Sequence, residues 1–488
     1  MKTHYLACDL GAESGRLMLG TLDEGRLSLE ELHRFPNTPI RDGASMHWDI
    51  PALLSEITEG LKKAARLPVR ISSFSCDTWG VDYLLFDADG RVMPPAFHYR
   101  DPRSEAGVQR VFARTDWNSI FAGTGVQFMG FNTLFQLAAE TPGRLDSADK
   151  ILMVGDGFNY LLSGVARAEQ SSASTSQLYD PRTHAWSQKL LETMQYPARL
   201  FPPIVPSGTR LGSLRNEIAS ETGLQDLTVI AGCSHDTAAA VAAVPASGSH
   251  WAYISSGTWS LMGVESVVPI INDTCRELNF TNEIGHGGSV RLLKNIIGLW
   301  LVQECRRTWA ASGRDLGYAE LAEMAGAEPP FVSLINPADP RFIAPDQMPE
   351  RIAAFCRETG QPVPRNEGAT IRCVLESLAL LYRQTLREVE RITGSRMQQL
   401  HIVGGGSRNA LLNQFTANAA QTRVLAGPTE ATAAGNILVQ AIALGHLRNL
   451  AAARSVVRES METVVFEPMD AAPWTQAFGR FEKLAPSA

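Results

Sequence analysis

Hydrophobic and polar positions along the chain divide into two kinds of segment. Short apolar runs are typical of buried β-strands, and apolar residues spaced three and four apart are typical of amphipathic helices. The runs predict strands at Tyr5–Asp9, Arg26–Glu30, Ile71–Ser75, Leu227–Ala231, Trp251–Ile254 and Leu400–Val403. The helical spacing predicts helices at Trp48–Ala65 and Val374–Ile392, and small-residue helices after Asp236, from about Asn409 and within Gly427–Asn436. Strands that alternate with helices in this way indicate an α/β fold.

A glycine turn follows the first predicted strand, and a similar turn follows the strand Trp251–Ile254. Aligning Gly257 with Gly11 also aligns Ser260 with Ser14, and apolar residues flank both turns. Such a turn offers a row of backbone N–H groups to an anion, and glycine allows the anion to come close. Neither turn has the Walker pattern or a spaced G-x-G-x-x-G.

The length of the chain favours two domains. Its 488 residues exceed the roughly 250–300 at which a single core stops growing. Together with the repeated turn, the length predicts two duplicated domains, residues 1–245 and 246–488, that face a shared cleft. Coincidence between two ordinary hairpin turns is the alternative.

The clearest candidate for chemistry is Asp236. It follows the strand Leu227–Ala231 and Gly232, and it is the only carboxylate between Asp226 and Glu265. A lone carboxylate at the end of a buried strand, with small residues beside it, can take a proton from a bound hydroxyl. An N-cap that satisfies backbone amides at the start of the Ala-rich helix is the alternative for the same residue.

Polar residues near other strand ends are candidate ligand contacts. The polar residues Asp77 and Asp82, around Trp79 and Gly80 at the end of the third predicted strand, suit a sugar, although a capping or turn role explains either aspartate nearly as well. The cluster Tyr99–Arg103 combines an aromatic ring with three charges, which suits hydroxyl recognition. The glycines Gly404–Gly406 leave a surface on which an adenine or a phosphate could lie, and loop flexibility is the alternative.

Composition limits the partners of the chain. A net charge of −7 disfavours nucleic acid and anionic membranes as partners. The sequence has no apolar run of about 18 residues and no secretory segment, so no transmembrane helix is expected. Seven scattered cysteines without a C-x-x-C pair suit a reducing compartment, although Cys356 and Cys373 could pair. We therefore expect a cytoplasmic protein that binds small molecules.

Taken together, the motifs resemble those of the FGGY carbohydrate kinases, which belong to the superfamily of sugar kinases, actin and heat-shock chaperones. The motifs are Asp9-Leu10-Gly11 with Ser14-Gly15-Arg16, the lone Asp236, Ser256-Gly257-Thr258 and Gly404-Gly405-Gly406. They occur in the family's order and cover nearly the whole chain. The resemblance implies two duplicated actin-like (ribonuclease H-like) α/β domains around a central cleft where ATP and a sugar meet.

The resemblance also implies roles for individual residues, with Asp236 as the catalytic base. It places ATP on Ala12, Glu13, Ser14, Gly15, Arg16, Thr258, Gln303 and Gly405. It places the sugar on Gly80, Asp82, His235, Asp236, Thr237 and Asn295. Asp9 would anchor Mg²⁺ through water, because Mg²⁺ dehydrates reluctantly. The N-terminal domain would thus hold the sugar and the base, and the C-terminal domain would hold ATP.

The implied reaction transfers the γ-phosphoryl group of ATP to the C1 hydroxyl of a ketose. The resemblance, carried by segments such as Cys76–Asp82 and Ser234–Thr237, implies L-rhamnulose as the ketose, with L-fuculose and D-xylulose as alternatives. An ATP-driven chaperone or filament subunit is the alternative from another class of the superfamily, but such proteins need no base aimed at a sugar hydroxyl. The oligomeric state stays open, and a monomer is compatible with the sequence.

Overall fold

A computed structural model describes residues 2–484 of the chain. The strands up to residue 245 are β1 (Thr3–Leu10), β2 (Ser14–Asp23), β3 (Arg26–Pro36), β4 (Ile40–Asp42), β5 (Ser45–Trp48), β6 (Ile71–Thr78), β7 (Tyr83–Phe86), β8 (Ala96–Phe97), β9 (Lys150–Met153), β10 (Ala168–Glu169), β11 (Tyr179–Asp180), β12 (Ala185–Trp186), β13 (Ile204–Val205), β14 (Thr209–Ser213) and β15 (Thr228–Ala231). The helices of this part are α1 (Ile50–Ala65), α2 (Ser104–Phe112), α3 (Trp117–Thr124), α4 (Thr133–Ala138), α5 (Arg144–Ser147), α6 (Val154–Ser163), α7 (Gln170–Ala173), α8 (Gln188–Met194), α9 (Asn216–Thr222) and α10 (Asp236–Ala242).

The remainder of the chain continues the alternation of strands and helices. Its strands are β16 (Trp251–Ser256), β17 (Trp259–Ser266), β18 (Thr281–Ile284), β19 (Val290–Ile297), β20 (Gln399–Val403), β21 (Arg423–Ala426) and β22 (Val464–Phe466). Its helices are α11 (Asp273–Glu277), α12 (Trp300–Ala311), α13 (Tyr318–Ala327), α14 (Met348–Glu358), α15 (Glu367–Thr393), α16 (Ala410–Ala420), α17 (Ala431–Ala443), α18 (Leu450–Ser460) and α19 (Ala471–Phe481).

Two compact units account for these elements. The first unit consists of Met1–Pro245, Glu265–Leu292 and Ala431–Met461. The second consists of Ala246–Val264, Leu293–Glu430 and Glu462–Ala488. Residue 245 thus ends the first segment of the first unit, and two later segments of the chain also belong to that unit.

The first unit is built on a six-stranded sheet in the order β14-β15-β6-β1-β2-β3. β1 runs antiparallel to β2 and parallel to β6, and β6 runs parallel to β15. The register places Asp9 beside Asp77 on the neighbouring strand. Because the carboxyl ends of β1, β6 and β15 lie at one edge of the sheet, the segments that follow these strands can share one site.

Helix α1 shows how the apolar pattern becomes core. The helix begins at Ile50, two residues later than predicted, because Asp49 is its N-cap and accepts a hydrogen bond from the backbone of Ala52 at 3.0 Å. Its apolar face, including Leu53 and Ile57, is buried in the core of the first unit. Burying one such side chain contributes about 1.5–3 kcal/mol.

Helices α10 and α17, both in the first unit, pack closely through small residues. A Cβ atom at Gly435 of α17 would lie 1.7 Å from the backbone oxygen of Ala239 on α10. Only glycine fits at that point, which confirms that helix packing explains the small residues of Gly427–Asn436. The helix that starts at the candidate base is therefore rigidly supported.

Six strands that lie wholly or mainly in the second unit are neighbours in the order β19-β17-β16-β20-β21-β22. β16 pairs antiparallel with β17 and parallel with β20. Helix α15 spans 27 residues and ends before Gly394, whose φ of 66° lies in the left-handed region that glycine favours. The predicted helix end and the strand at Leu400–Val403 are both confirmed.

Two further expectations concern thiols and membranes. All seven cysteines, including Cys356 and Cys373, are buried free thiols. From residue 2 to residue 484, no helix is long and apolar enough to span a bilayer.

Candidate active site

Asp236 is the first residue of α10, and His235 is the N-cap residue of that helix. Asp236 Oδ1 accepts hydrogen bonds from the backbone nitrogen of Thr237 at 2.5 Å and from its Oγ1 atom at 3.1 Å. No residue within the described part of the chain donates to Oδ2, and 32% of the side chain is exposed. Asp236 therefore satisfies one amide at the helix start and still presents an oxygen that can accept a proton.

The electrostatic surroundings of Asp236 favour a proton acceptor at neutral pH. Burial raises the pKa of Asp236 to about 7, and the negative charge of Asp9 acts in the same direction. The hydrogen bonds from Thr237 and the positive charge of Arg291 oppose this rise in pKa. A base is most effective when its pKa lies near the working pH, because it is then both ionised and basic enough.

Two residues that the sequence did not reveal fix the backbone before Asp236. Glu169 Oε2 accepts a hydrogen bond from the backbone nitrogen of Ser234 at 2.9 Å, and Ser171 Oγ accepts one from that of His235 at 3.1 Å. The Ser171 hydroxyl in turn donates to Glu169. Burial raises the pKa of Glu169 to about 7. No local pattern could find this support, because 65 residues separate Glu169 from Ser234.

The segment after β6 runs beside the segment that precedes Asp236. The backbone nitrogen of Thr78 donates to the oxygen of Ser234 at 3.0 Å, and Thr78 forms a parallel bridge with His235. Gly80 follows two residues later, where a Cβ atom would lie 3.0 Å from Thr175 Cγ2. The structure therefore brings Gly80 and His235 onto neighbouring strand ends.

Asp82 organises an aromatic cluster. Its Oδ2 atom accepts hydrogen bonds from Trp48 Nε1 at 2.7 Å, Trp79 Nε1 at 3.0 Å and the backbone nitrogen of Tyr99 at 3.1 Å. Its Oδ1 atom accepts one from Gln136 at 2.7 Å. Burial raises the pKa of Asp82 to about 6, although these hydrogen bonds oppose the rise. Because the carboxylate is fully buried, Asp82 orients the two indole rings and does not itself face solvent.

The backbone between Gly80 and Asp82 is strained. Val81 has a φ of 65°, in the left-handed region that a β-branched residue rarely adopts. Its nitrogen donates to Thr175 Oγ1 at 3.1 Å, and its oxygen accepts from Thr133 Oγ1 at 2.6 Å. Strain of this kind persists only where surrounding bonds enforce it, and it concentrates at functional sites.

The first glycine turn joins β1 to β2. The nitrogen of Gly11 donates to the oxygen of Ser14 at 2.9 Å, and Asn37 donates to the oxygen of Gly11 from its side chain and to that of Glu13 from its backbone, at 2.9 and 3.0 Å. Engaging these carbonyl groups removes acceptors that would repel a phosphate, which suits the turn to anion binding. Asn37 is a supporting residue that sequence reasoning missed.

Two neighbouring carboxyl groups lie one residue before the ends of β1 and β6. Asp9 Oδ2 is 2.8 Å from Arg16 Nη2, on the paired strand. Asp77 is fully buried and accepts a hydrogen bond from Asn436 at 2.5 Å, and burial followed by the charge of Asp9 raises the pKa of Asp77 well above its usual range. The charged form of Asp77 is therefore disfavoured, and Asp9, paired with Arg16, is the carboxylate that can meet a cation.

The donor set fits Mg²⁺ in one particular way. Among residues 2–484 no cluster of three or more His, Cys, Asp or Glu side chains could hold a metal ion. Mg²⁺ commonly binds through one or two carboxylates, several waters and substrate phosphates, without a dedicated protein cage. Asp9, which lies two residues before Gly11, matches that requirement.

The second glycine turn is shorter than the first. β16 ends at Ser256, β17 begins at Trp259, and the nitrogen of Gly257 donates to the oxygen of Trp259 at 2.9 Å. The turn therefore has two residues where the first has three, and the predicted alignment of Ser260 with Ser14 is wrong. Matching apolar flanks cannot determine how many residues a turn contains.

The second turn nevertheless shares the support found in the first. The oxygen of Thr258 accepts hydrogen bonds from Gly298 at 3.2 Å and Trp300 at 3.1 Å, and the oxygen of Gly257 accepts one from Leu299 at 3.0 Å. Gly298 and Leu299 directly precede α12, and Trp300 is its first residue. The carbonyl groups of this turn are thus engaged by the chain, as those of the first turn are.

Other predicted ATP contacts lie on segments near this turn. Gln303 is on the first turn of α12, and its buried Oε1 atom has no hydrogen-bond partner within the described residues. A Cβ atom at Gly406 would lie 2.0 Å from Ser256 Oγ, so the glycine loop packs directly on the end of β16. Gly405 faces open space, because nothing lies within 4 Å of where its Cβ would be.

The two units divide the predicted site residues between them. The first unit contains Asp9, Ala12, Glu13, Ser14, Gly15, Arg16, Gly80, Asp82, His235, Asp236 and Thr237. The second contains Thr258, Asn295, Gln303 and Gly405. Asn295 lies on β19 and is the one predicted sugar contact outside the first unit.

Comparison with known proteins assigns both halves of the chain to one family. Residues 4–243 match the N-terminal domain, and residues 252–444 the C-terminal domain, of the FGGY family of carbohydrate kinases. Rhamnulokinase from Bacteroides thetaiotaomicron is 44% identical over 485 residues, 99% of both chains. Rhamnulokinase from Bacillus subtilis is 42% identical over 467 residues, 96% of both chains.

Solved structures have the same fold at low sequence identity. A ligand-bound xylulose kinase from Lactobacillus acidophilus has a TM-score of 0.81 at 14% identity, covering 99% of this chain and 97% of its own. A gluconate kinase from the same organism has a TM-score of 0.82 at 14% identity, covering 99% and 98%. These similarities confirm the predicted α/β fold with two sheet-based domains.

Proposed function

Because the chain belongs to the FGGY family of carbohydrate kinases, we propose that it phosphorylates L-rhamnulose on its C1 hydroxyl with ATP. The products are L-rhamnulose 1-phosphate and ADP, in the breakdown of L-rhamnose. The full-length relatives named rhamnulokinase support this substrate. The observation that carries the proposal is the Asp236 carboxylate, whose Oδ2 atom has no donor within residues 2–484 and whose pKa is about 7.

Asp236 acts as the general base of the reaction. The C1 hydroxyl gives its proton to Asp236 Oδ2 while its oxygen forms a bond to the γ-phosphorus of ATP. The bond from the γ-phosphorus to the bridging oxygen of ADP breaks, and ADP leaves with that electron pair. Asp236 later releases the proton to solvent. Since phosphoryl transfer passes through a loose transition state, positioning and charge neutralisation supply most of the catalysis.

The phosphates of ATP lie on the first glycine turn. Its residues Ala12–Arg16 contribute amide groups and the Arg16 guanidinium, and Asn37 keeps the turn in shape. Asp9 would hold Mg²⁺, with water completing its coordination. When bound, Mg²⁺ neutralises the charge that develops on the transferring phosphoryl group.

The second unit supplies the remaining nucleotide contacts. Thr258, Gln303 and Gly405 contact ATP, with the exposed Gly405 near the adenosine. The buried Oε1 atom of Gln303, which has no partner among the described residues, supports this role, since a buried acceptor is costly without a donor. The part of the chain before residue 245 holds the base, most of the sugar contacts and the phosphate contacts of the first glycine turn. The part after it holds the remaining ATP contacts and Asn295, which contacts the sugar.

The sugar is selected by groups around Asp236. Gly80, His235 and Thr237 contact its hydroxyl groups, and the indole ring of Trp79 offers an apolar surface for the C6 methyl group. Asp82 takes part by orienting that ring. A methyl pocket discriminates by only about 1–3 kcal/mol, whereas a hydroxyl without its partner costs far more. The enzyme should therefore tolerate changes at C6 better than inverted ring hydroxyls.

Competition between ketoses tests the proposal. L-Rhamnulose, L-fuculose and D-xylulose are supplied at equal concentration with ATP and Mg²⁺, and each sugar phosphate is quantified. We expect the highest kcat/KM for L-rhamnulose. A higher value for either rival would refute the assignment and would leave a kinase for another ketose.

A further inference from the structure

A buried charged cluster adjoins the candidate base in the first unit. It consists of Arg291, Glu283 and His235, and we call it the Arg291 cluster. All three residues are at least 95% buried, and Arg291 is completely so. Arg291 Nη2 lies 3.1 Å from His235 Nδ1 and 3.1 Å from Glu283 Oε2. No sequence motif points to Arg291 or Glu283, which lie far from His235 along the chain.

Stability does not account for this cluster. A buried ion pair is often no more stable than apolar residues of the same size. Arg291 also leaves its Nη1 atom buried without a hydrogen-bond partner in the described part of the chain, and an unsatisfied buried donor is costly. A functional role explains why the guanidinium is placed here.

The contacts of Arg291 determine which nitrogen of His235 carries the proton. A guanidinium group only donates hydrogen bonds, so the bond from Arg291 requires Nδ1 to be an acceptor. Burial and the charge of Arg291 lower the pKa of His235 well below its usual range, so the imidazole is neutral. Glu283 Oε2 lies further from Nδ1, at 3.4 Å, and holds Arg291 in place. The single proton of the neutral ring is therefore on Nε2.

The protonated Nε2 atom lies within ion-pair distance of the base, although its geometry is not that of a hydrogen bond. It lies 3.3 Å from Asp236 Oδ1, the same oxygen that accepts both hydrogen bonds from Thr237. We propose that Arg291 and Glu283 are positioning residues that hold His235 in the Nε2–H form, whose N–H dipole attracts Oδ1 and leaves Oδ2 to accept the sugar proton. This inference rests on the proposed role of Asp236 as the base.

Nitrogen NMR tests the tautomer directly. The protein is labelled with ¹⁵N-histidine, and the His235 signals are assigned by their absence from His235→Gln. Chemical shifts distinguish a protonated from an unprotonated ring nitrogen, and we expect Nε2 to be protonated and Nδ1 not. A protonated Nδ1, or a doubly protonated ring at pH 7, would overturn the proposal. The measurement uses the free enzyme and does not depend on which sugar is the substrate.

Kinetics tests the positioning role. The double variant Arg291→Met/Glu283→Leu removes both charges together, which avoids leaving either one buried and unpaired. We expect the Nε2–H signature to be lost and kcat to fall by about 10- to 100-fold, because small displacements of a reacting group have effects of that size. The KM for ATP should be unchanged. A double variant that keeps the wild-type kcat would overturn the proposal.

Two further variants complete the test. Arg372→Met/Glu376→Leu removes a similarly buried pair in α15 of the second unit, and its kcat should match the wild type. If the Arg291 double variant does not fold, His235→Gln and His235→Leu decide, since only glutamine can place an N–H near the Nε2 position. Equal kcat in these two variants would overturn the proposal. If the wild type prefers another ketose, that sugar replaces L-rhamnulose in every assay. Failure of the substrate assignment is thereby distinguished from failure of the positioning role.

Discussion

Replacing Asp236 with asparagine removes the proposed base with little change in shape. In Asp236→Asn, the backbone nitrogen and hydroxyl of Thr237 still require an acceptor, so the amide oxygen takes the place of Oδ1. The amide nitrogen must then take the place of Oδ2, where it faces the sugar hydroxyl. An amide nitrogen donates hydrogen bonds and cannot accept the proton.

The expected loss of turnover follows from the size of general-base catalysis. Removing a general base costs about 10²–10⁴ in rate, which corresponds to about 2.7–5.4 kcal/mol of barrier. A loose transition state develops little bonding to the attacking oxygen, which favours the lower part of this range. The phosphates of ATP contact other residues, so the KM for ATP should stay within about twofold.

The same change should stabilise the folded protein at high pH. Burial raises the pKa of Asp236 to about 7, well above the value of about 3.9 in an unfolded chain. Between these values the folded state binds more protons than the unfolded state, so stability falls as the pH rises. The stability lost by ionising the buried Asp236 reaches its full value above about pH 8, and Asp236→Asn does not suffer this loss. The Tm of Asp236→Asn should therefore exceed that of the wild type by more at pH 8 than at pH 5.

Coupled-assay turnover and thermal unfolding measure the two effects. The control is Asp226→Asn, an exposed carboxylate shortly before β15 that undergoes the same chemical change. It should alter neither turnover nor Tm. Near-normal turnover of Asp236→Asn would refute the assignment of Asp236 as the general base. Asp236 would then only stabilise the start of α10. A gain in Tm that is equal at pH 5 and pH 8 would refute the raised pKa.

Three other predictions concern the surroundings of Asp236 and the phosphate turns. The kcat/KM for the sugar should rise with pH to a plateau, with an apparent pKa near 7, because the base must be ionised; a flat profile from pH 5.5 to 8 would contradict this. In Glu169→Gln, the amide N–H₂ group would face backbone N–H groups that now donate to the Glu169 carboxylate. The free energy of unfolding, measured with urea, should therefore fall by about 1–3 kcal/mol. The pH profile of kcat/KM should keep its shape if the titrating group is Asp236. Gly257→Val should weaken ATP use and leave Tm nearly unchanged, since its Cβ would be 3.8 Å from the nearest atom, the oxygen of Trp259. Gly11→Val should weaken ATP use too, and a loss in only one of the two variants would contradict a nucleotide held by both turns.

Local sequence patterns predicted most elements of the fold. Apolar periodicity located α1 and α15, and glycine located the end of α15, because these features depend on neighbours within a few residues. The glycine turns and the lone Asp236 were visible for the same reason, since each is a short motif beside a strand. Predicted boundaries such as Trp48 in place of Ile50 missed by two residues because Trp48 belongs to β5.

Turn length and burial were not visible in the sequence. The second turn is one residue shorter than the first, although its flanking residues look alike, because strand pairing sets where a hairpin closes. Asp82 is a polar residue of the kind that contacts ligands, but in the structure four hydrogen-bond donors enclose its carboxylate. Whether a polar side chain faces a ligand or the core depends on what packs against it.

The sequence by itself determined the α/β class, the family's motifs and the identity of the candidate base, since each rests on residues adjacent in the chain. Only the tertiary structure decided which distant residues contact the surroundings of that base and the first glycine turn. Glu169 accepts a hydrogen bond from the backbone before Asp236, Asn37 engages the carbonyl groups of the first glycine turn, and Arg291 contacts both His235 and Glu283. All of these contacts join residues that are distant in the chain. Hydrogen bonds and charges act over a few ångströms of space regardless of chain distance, so these partners become apparent only once the strands lie side by side.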